Sequence, residues 1–141
     1  MKFYFGNPIN NPFEVPKGNY RGTFFRHRPA KKAFCSCPLE QQQRFDFSLI
    51  DEDGRDEGYI ASATLCTNPR CQSQRHGMKS FLEEWHGDRI YDYLDSDQNI
   101  DLDLLLNKKA DVQIIEKQGA KHAHPYSKLE HAFPPGTLIE N

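Results

Sequence analysis

Two stretches of this chain alternate strictly between apolar and polar residues. From Arg44 to Ile50, Phe45, Phe47 and Leu49 fall on one face of a strand; from Tyr59 to Leu65, Tyr59, Ala61, Ala63 and Leu65 do the same. The intervening run, Asp51 to Gly58, is charged and carries two glycines. The pair therefore predicts a β-hairpin. Tyr20 to Arg28, with Tyr20, Thr23, Phe24 and Phe25, predicts a further strand ending before Pro29. On plain alternation, Arg26 and Arg28 share a face with Phe24, and Phe25 and His27 point the other way. Short strands are expected at Phe3 to Phe5 and at Ala33 to Cys35. Asn7 to Asn19, with Pro8, Pro12, Pro16 and Gly18, reads as a loop.

The period then changes. Met78, Phe81, Leu82 and Trp85 fall at i, i+3, i+4 and i+7, one apolar stripe of a helix, with Gly87 as its stop. Asp88 is placed to cap a short helix through Leu94. Asn99 is placed to cap a third over Leu102 to Leu106, where Asp101 to Leu104 also fits a strand. Ala110 to Glu116, with Val112 and Ile114, predicts a late strand, and segment 119–141 is expected to be irregular. The fold class that follows is α+β, a single domain over residues 1–141 with a small antiparallel sheet followed by short helices.

The cysteines change this picture most. Cys35 and Cys37 form a Cys-x-Cys pair, and after 28 residues Cys66 and Cys71 form a Cys-x4-Cys pair; there are no others. Four thiolates suit one tetrahedral Zn²⁺ at about 2.3 Å, a closed and therefore structural site. Asn68-Pro69 makes a turn between Cys66 and Cys71, and an extended segment puts Cys35 and Cys37 on one side. The hairpin carries Cys66 back toward the residues before Arg44, so the two pairs can meet. His76 is the nearest residue able to replace a thiol. Disulfides and separately buried thiols remain open as alternatives. Met1 to Pro8 lacks the apolar core of a signal peptide, so a cytoplasmic location with reduced thiols is expected. The run Cys66-Thr67-Asn68-Pro69-Arg70-Cys71 resembles one half of the zinc site in phage late-gene activators of the Ogr/Delta type, which contact DNA and RNA polymerase. The resemblance covers these six residues; the other half departs, with Cys-x-Cys where that family has Cys-x2-Cys.

With 141 residues, 37% hydrophobic and 12% aromatic, the chain can bury a real core, so metal would support the fold without being its sole support. No apolar run approaches the ~20 residues that span a bilayer, so no membrane partner is expected. The net charge is only −2, but it is unevenly distributed. Lys17, Arg21, Arg26, Arg28, Lys31, Lys32 and Arg44 oppose one acid, Glu40. Glu83, Glu84, Asp88, Asp92, Asp95, Asp97, Asp101 and Asp103 oppose one base, Arg89.

Three functions are open. The first is a regulatory zinc-binding module that contacts nucleic acid through Arg21, Arg26, Arg28, Lys31 and Lys32, with rings such as Phe24 and Phe25 interleaved. The second is a protein-interaction or inhibitor module, carried by a phage or mobile element, that uses Glu83, Glu84, Asp88, Asp92, Asp95 and Asp97. The third is a small enzyme built on His122, His124 and His131. No Gly-rich phosphate loop, nucleophile elbow or deaminase signature is present, so an enzyme has the least support and no catalytic residue is expected. Where the charges lie in space separates the first two: one continuous basic face, or a basic strand neutralised by its own acidic helices.

Overall fold

Five strands form one sheet: β1 (Gly18–Pro29), β2 (Gln42–Ile50), β3 (Ile60–Cys66), β4 (Lys109–Lys117) and β5 (Tyr126–Phe133). The computed structural model describes residues 1–3, 15–33, 35–51, 53–56, 58–71, 77–117 and 126–140. The order is β3-β2-β1-β4-β5, with every neighbouring pair antiparallel. The alternating stretches 44–50 and 59–65 are the β2/β3 hairpin, in a register that pairs Phe45 with Ala63 and Gln42 with Cys66. The two edges of the sheet, β3 and β5, touch, so the sheet curls toward a barrel. A cleft of about 270 Å³ remains along this seam, lined by Ser62 and Thr64 from one edge and Ser127 and Lys128 from the other.

The helix α1 (Met78–His86) lies between β3 and β4 and covers the inner face of the sheet. Its apolar stripe is the expected one, with Leu82 and Trp85 buried. Gly87 ends it with φ 61° and ψ −148°, a conformation only glycine adopts readily, and its N–H returns to the Glu83 carbonyl. Aromatic packing centres on Phe24, which is fully buried. It stacks on Phe45 with ring centroids 5.0 Å apart and meets Trp85 edge-on at 5.7 Å. The Trp85 indole N–H donates to the Lys109 carbonyl at 2.8 Å, so the one polar atom of the ring is satisfied as the ring is buried.

Several expectations are corrected. The regions after α1 are 3-10 turns, Gly87–Tyr93 and Leu102–Leu105, and α1 is the one α-helix among the described residues. Asp101, not Asn99, caps the second, accepting from the Asp103 N–H. Helices do not simply follow the sheet, because β4 and β5 return to complete it. Segment 119–141 contains β5, whose half-buried side chains hid its period. Ala33 is irregular and Cys35 lies in a bend, so neither is in a strand, and Phe34 lies outside the described residues. Of the expected strand Phe3 to Phe5, Tyr4 and Phe5 lie outside the described residues.

The most consequential correction is in β1. Phe24 pairs with Phe47, and the next pair is Arg26 with Asp46, so Phe25 is an extra residue, a β-bulge. Beyond it every side chain changes face. His27 joins Phe24 on the inner face, stacking at 6.2 Å, and Arg26 and Arg28 turn to the outer face.

The outer face also holds the C-terminal tail. Asp111 on β4 is fully buried and accepts from the backbone N–H groups of Gly136 (3.0 Å), Leu138 (2.8 Å) and Ile139 (2.9 Å) and from Arg21 Nε (2.5 Å). Arg21 in turn donates to the Ile139 carbonyl at 3.0 Å. Burial opposes the charged carboxylate, but the N–H groups of Ile139 and Leu138 and the Arg21 guanidinium outweigh it and hold its pKa below the ordinary value. A lowered carboxylate pKa stabilises the fold above the unfolded value near 3.9, and this contribution is lost as pH falls further. Asp111→Asn should therefore cost roughly 3 kcal/mol in urea denaturation at pH 7. It should also expose residues 134–140 to proteolysis and flatten the stability loss below about pH 4. A variant with an unchanged tail cleavage rate would show that Asp111 does not hold the tail.

Candidate metal centre and basic face

The β2/β3 register places Gln42 opposite Cys66, at the end of the hairpin nearest the Cys35–Cys37 loop. Gln42 is buried, and its side-chain amide donates to the Cys37 carbonyl at 3.0 Å. The Thr67 N–H and hydroxyl both reach the Gln41 carbonyl at 2.7 Å. These bonds pin the segments carrying the two cysteine pairs to each other. The Sγ atoms of Cys35, Cys37, Cys66 and Cys71 all lie within 4.8 Å of one another, and none is in a disulfide.

The turn after Cys66 has the local geometry its sequence implies. The Cys71 N–H bonds to the Asn68 carbonyl at 3.1 Å, and the Arg70 N–H bonds to Asn68 Oδ1 at 3.0 Å. The Asn68 backbone N–H is directed at the Cys66 thiol, and its side-chain amide lies 3.7 Å from Cys37 Sγ. The Cys37 pKa is pushed up to about 12, by hydrogen bonding to Cys71, then by burial and the other two thiols. Burial raises Cys66 as well, opposed by the Asn68 N–H. Four thiols this close resist ionising together unless a cation lies between them. A tetrahedral site with bonds of about 2.3 Å has sulfur–sulfur edges of roughly 3.8 Å, a small contraction of the observed cluster. The donor set is that of a soft, tetrahedral metal ion with no open position. His76, the candidate substitute ligand, lies outside the described residues.

The second site is on the outer face beside β3. Asp46, fully buried, receives Arg26 Nε at 2.7 Å and Arg28 Nε at 3.1 Å on one oxygen. Its other oxygen receives Arg44 Nε at 3.2 Å and the Ser62 hydroxyl at 2.5 Å. Burial pushes the Asp46 pKa up, but the hydrogen bonds from Ser62 and Arg26 and the charge of Arg28 bring it below the ordinary value. Three guanidinium charges thus share one carboxylate. Two like charges roughly 6 Å apart, at an effective dielectric of about 20, repel by about 3 kcal/mol, so this cluster is assembled against repulsion. Arg28 Nε is buried without a well-aligned hydrogen bond. Lys31 and Lys32 are exposed just beyond β1, on the way to Cys35.

Not every expected basic residue joins this face. Arg21 is withdrawn into its pair with Asp111, its side chain 18% exposed. The acidic residues lie on the other side of the sheet, with α1 and the turns after it. Glu83 accepts from the Tyr91 hydroxyl at 2.7 Å, and Glu84 takes His131 Nδ1 at 3.0 Å and the Ala132 N–H at 3.2 Å. Asp95 closes its own turn, accepting from the N–H groups of Asp97 and Asn99. Asp88, Asp92 and Asp97 are exposed and in no ion pair among the described residues. His122 and His124 lie outside the described residues, and His131 is engaged by Glu84.

Sequence reasoning missed Asp46, Arg44, Ser62 and Asp111. A carboxylate between two phenylalanines, Phe45-Asp46-Phe47, was the available signal: a charge in mid-sheet needs cations on the neighbouring strands. Compared with family models, curated proteins and solved structures, the chain finds no match. The likeness of Cys66 to Cys71 to one phage zinc site thus remains a likeness of one turn. No helix among the described residues is long and apolar enough to cross a membrane.

Asp46→Asn should leave the three arginines without their counter-charge and cost roughly 3 kcal/mol. Arg28→Gln alone should cost less than about 1 kcal/mol, as befits a partly exposed pair, and should restore stability when combined with Asp46→Asn. A double-mutant cycle in urea measures this. Strictly additive effects would mean that Asp46 does not brace the arginines.

Proposed function

We propose that this chain is a zinc-stapled module that binds single-stranded nucleic acid across the outer face of β1, β2 and β3. The observation that carries the reading is the segregation of charge by the sheet. Arg26, Arg28 and Arg44 crowd one face, Lys31 and Lys32 extend it toward the thiol cluster, and the acidic residues lie with α1 on the other side. The basic strand is therefore not neutralised by the acidic segment, apart from the single contact of His27 with Asp103 at 2.7 Å.

The topology supports the same reading by analogy. A three-stranded meander, a helix between β3 and β4, a final hairpin that pairs β4 with β1, and contact between β3 and β5 resemble the OB-fold barrel. That barrel uses the face of strands 2 and 3 and the loops after strands 1 and 4 for oligonucleotides. Here the first two of those positions are the Arg44 face and the connection that carries Lys31 and Lys32.

Zinc fits the cysteine cluster because four thiolates in tetrahedral reach form a closed structural site. Its role is to hold the Lys31–Cys37 loop against the end of β3. The protein purified without a metal-binding tag should carry one zinc per chain by elemental mass spectrometry. Cys71→Ser should lose most of it while β-sheet circular dichroism persists. A metal-free protein with intact binding to nucleic acid would remove zinc from the reading.

Binding is tested by fluorescence anisotropy with a labelled single strand over a range of potassium chloride. Affinity should fall steeply with salt, and removing the charges of Lys31 and Lys32 together should reduce the slope of log K against log salt by about 1.4. An unchanged slope would place these lysines off the path of the strand. A second reading, a basic protein partner at the acidic side, is favoured by the exposed, unpaired Asp88, Asp92 and Asp97. Tight binding of a basic protein by a chain with no affinity for oligonucleotides would select it.

A further inference from the structure

We propose that the Arg26, Arg28 and Arg44 cluster is a seat for a phosphate dianion, such as the terminal phosphate of a strand. This deepens, and rests on, the nucleic-acid reading of the same face. The argument begins with the orientation of the guanidiniums. Each presents Nε to Asp46, two of them to a single oxygen and that of Arg28 without a well-aligned hydrogen bond, and apart from Arg44 Nη2 the terminal Nη groups make no hydrogen bond to a described side chain. A guanidinium has several donors and no acceptor. The protein acceptors within the cluster are the two Asp46 oxygens and the Ser62 hydroxyl, which also accepts from Arg44 Nη2 at 3.0 Å. No other hydrogen bond from Arg26, Arg28 or Arg44 to a described side chain is formed. The cluster has more donors than acceptors, and its bracing makes this permanent.

Charge completes the argument. Three guanidiniums against one carboxylate leave two positive charges on a patch preorganised by a fully buried residue. An interior phosphodiester supplies one negative charge, whereas a phosphate monoester carries close to two at neutral pH. Arginine forks match the paired oxygens of a phosphate, and the ions are held before the ligand arrives, so little side-chain entropy remains to be lost. Arg26 is further fixed by lying over the Phe25 ring, 5.2 Å from its centroid.

The test uses the zinc-loaded full chain and inorganic phosphate, followed by the NMR signals of the arginine Nε–H groups at constant ionic strength set with chloride. Saturable shifts of Arg26, Arg28 and Arg44 are expected. Arg28→Gln should weaken phosphate at least tenfold without loss of zinc and with a melting temperature lowered by no more than a few degrees, as its small stability cost implies. Arg26→Lys, which keeps the charge but loses the fork, should weaken it several-fold. A response no greater than that to chloride, or equal affinity in both variants, overturns the seat. A 5′-phosphorylated oligonucleotide should bind about tenfold tighter than its 5′-hydroxyl twin. Equal binding of the twins, with no competition by phosphate, overturns the seat and leaves the nucleic-acid reading standing. Saturable phosphate binding with neither oligonucleotide bound supports the seat and overturns that reading.

Discussion

Phe25 is one residue too many for the pairing of β1 with β2, and the rest of the molecule is arranged around that excess. Without the bulge, Arg26 and Arg28 would follow Phe24 to the inner face, where Trp85 and Phe45 leave no room for charge. With it, the same strand contributes Tyr20, Phe24 and His27 to the inside and the arginines to the outside. The extra residue also increases local twist, consistent with a sheet of five strands whose edges meet. One backbone irregularity thus sets which side chains of β1 meet the core and which make up its outer face.

The two buried aspartates of the outer face are chemically alike and differently satisfied. Asp111 has one cation and three backbone N–H groups, so its charge is balanced and its lone pairs are filled by the chain itself. Asp46 has three cations and a hydroxyl. Asp111 therefore does structural work alone, closing the C-terminal tail over β1 and β4. Asp46 holds an excess of charge that water or a ligand must answer. Burying a carboxylate costs several kcal/mol unless compensated, and compensation threefold beyond need is unexpected if stability is its only purpose.

The parts legible in the sequence were those with local periods. The alternation of Phe45, Phe47 and Leu49 predicted β2, the stripe of Leu82 and Trp85 predicted α1, and the two cysteine pairs predicted their own meeting. What failed was non-local or aperiodic. A bulge cancels alternation without a mark in composition. Arg21 looked free because its partner, Asp111, is 90 residues away. β5 is an edge strand with half-buried residues such as Lys128, Glu130 and His131, so its polar sequence read as loop. The acidic run around Asp92 and Asp101 promised helices but made 3-10 turns, and at Leu102–Leu105 the Asp101 side chain caps the turn by accepting from the Asp103 N–H.

The thiol cluster stands apart from this logic because it joins segments at one end of the β2/β3 hairpin. Cys37 and Cys66 would close a long loop if they joined in an unfolded chain, and closure of such loops is what makes a cross-link stabilising. Here the β2/β3 hairpin has already closed that loop, with Gln42 paired to Cys66. The remaining freedom is local, in the residues between Pro29 and Gln42 and in the turn from Cys66 to Cys71. A metal at the cluster would therefore order the loop bearing Lys31 and Lys32 more than it would stabilise the sheet. Those lysines sit a few residues past Arg28 on the same connection, so ordering the loop would hold two exposed charges beside the three that Asp46 braces. A metal held by the four thiols would act alongside the buried carboxylate, each constraining part of the same positively charged surface.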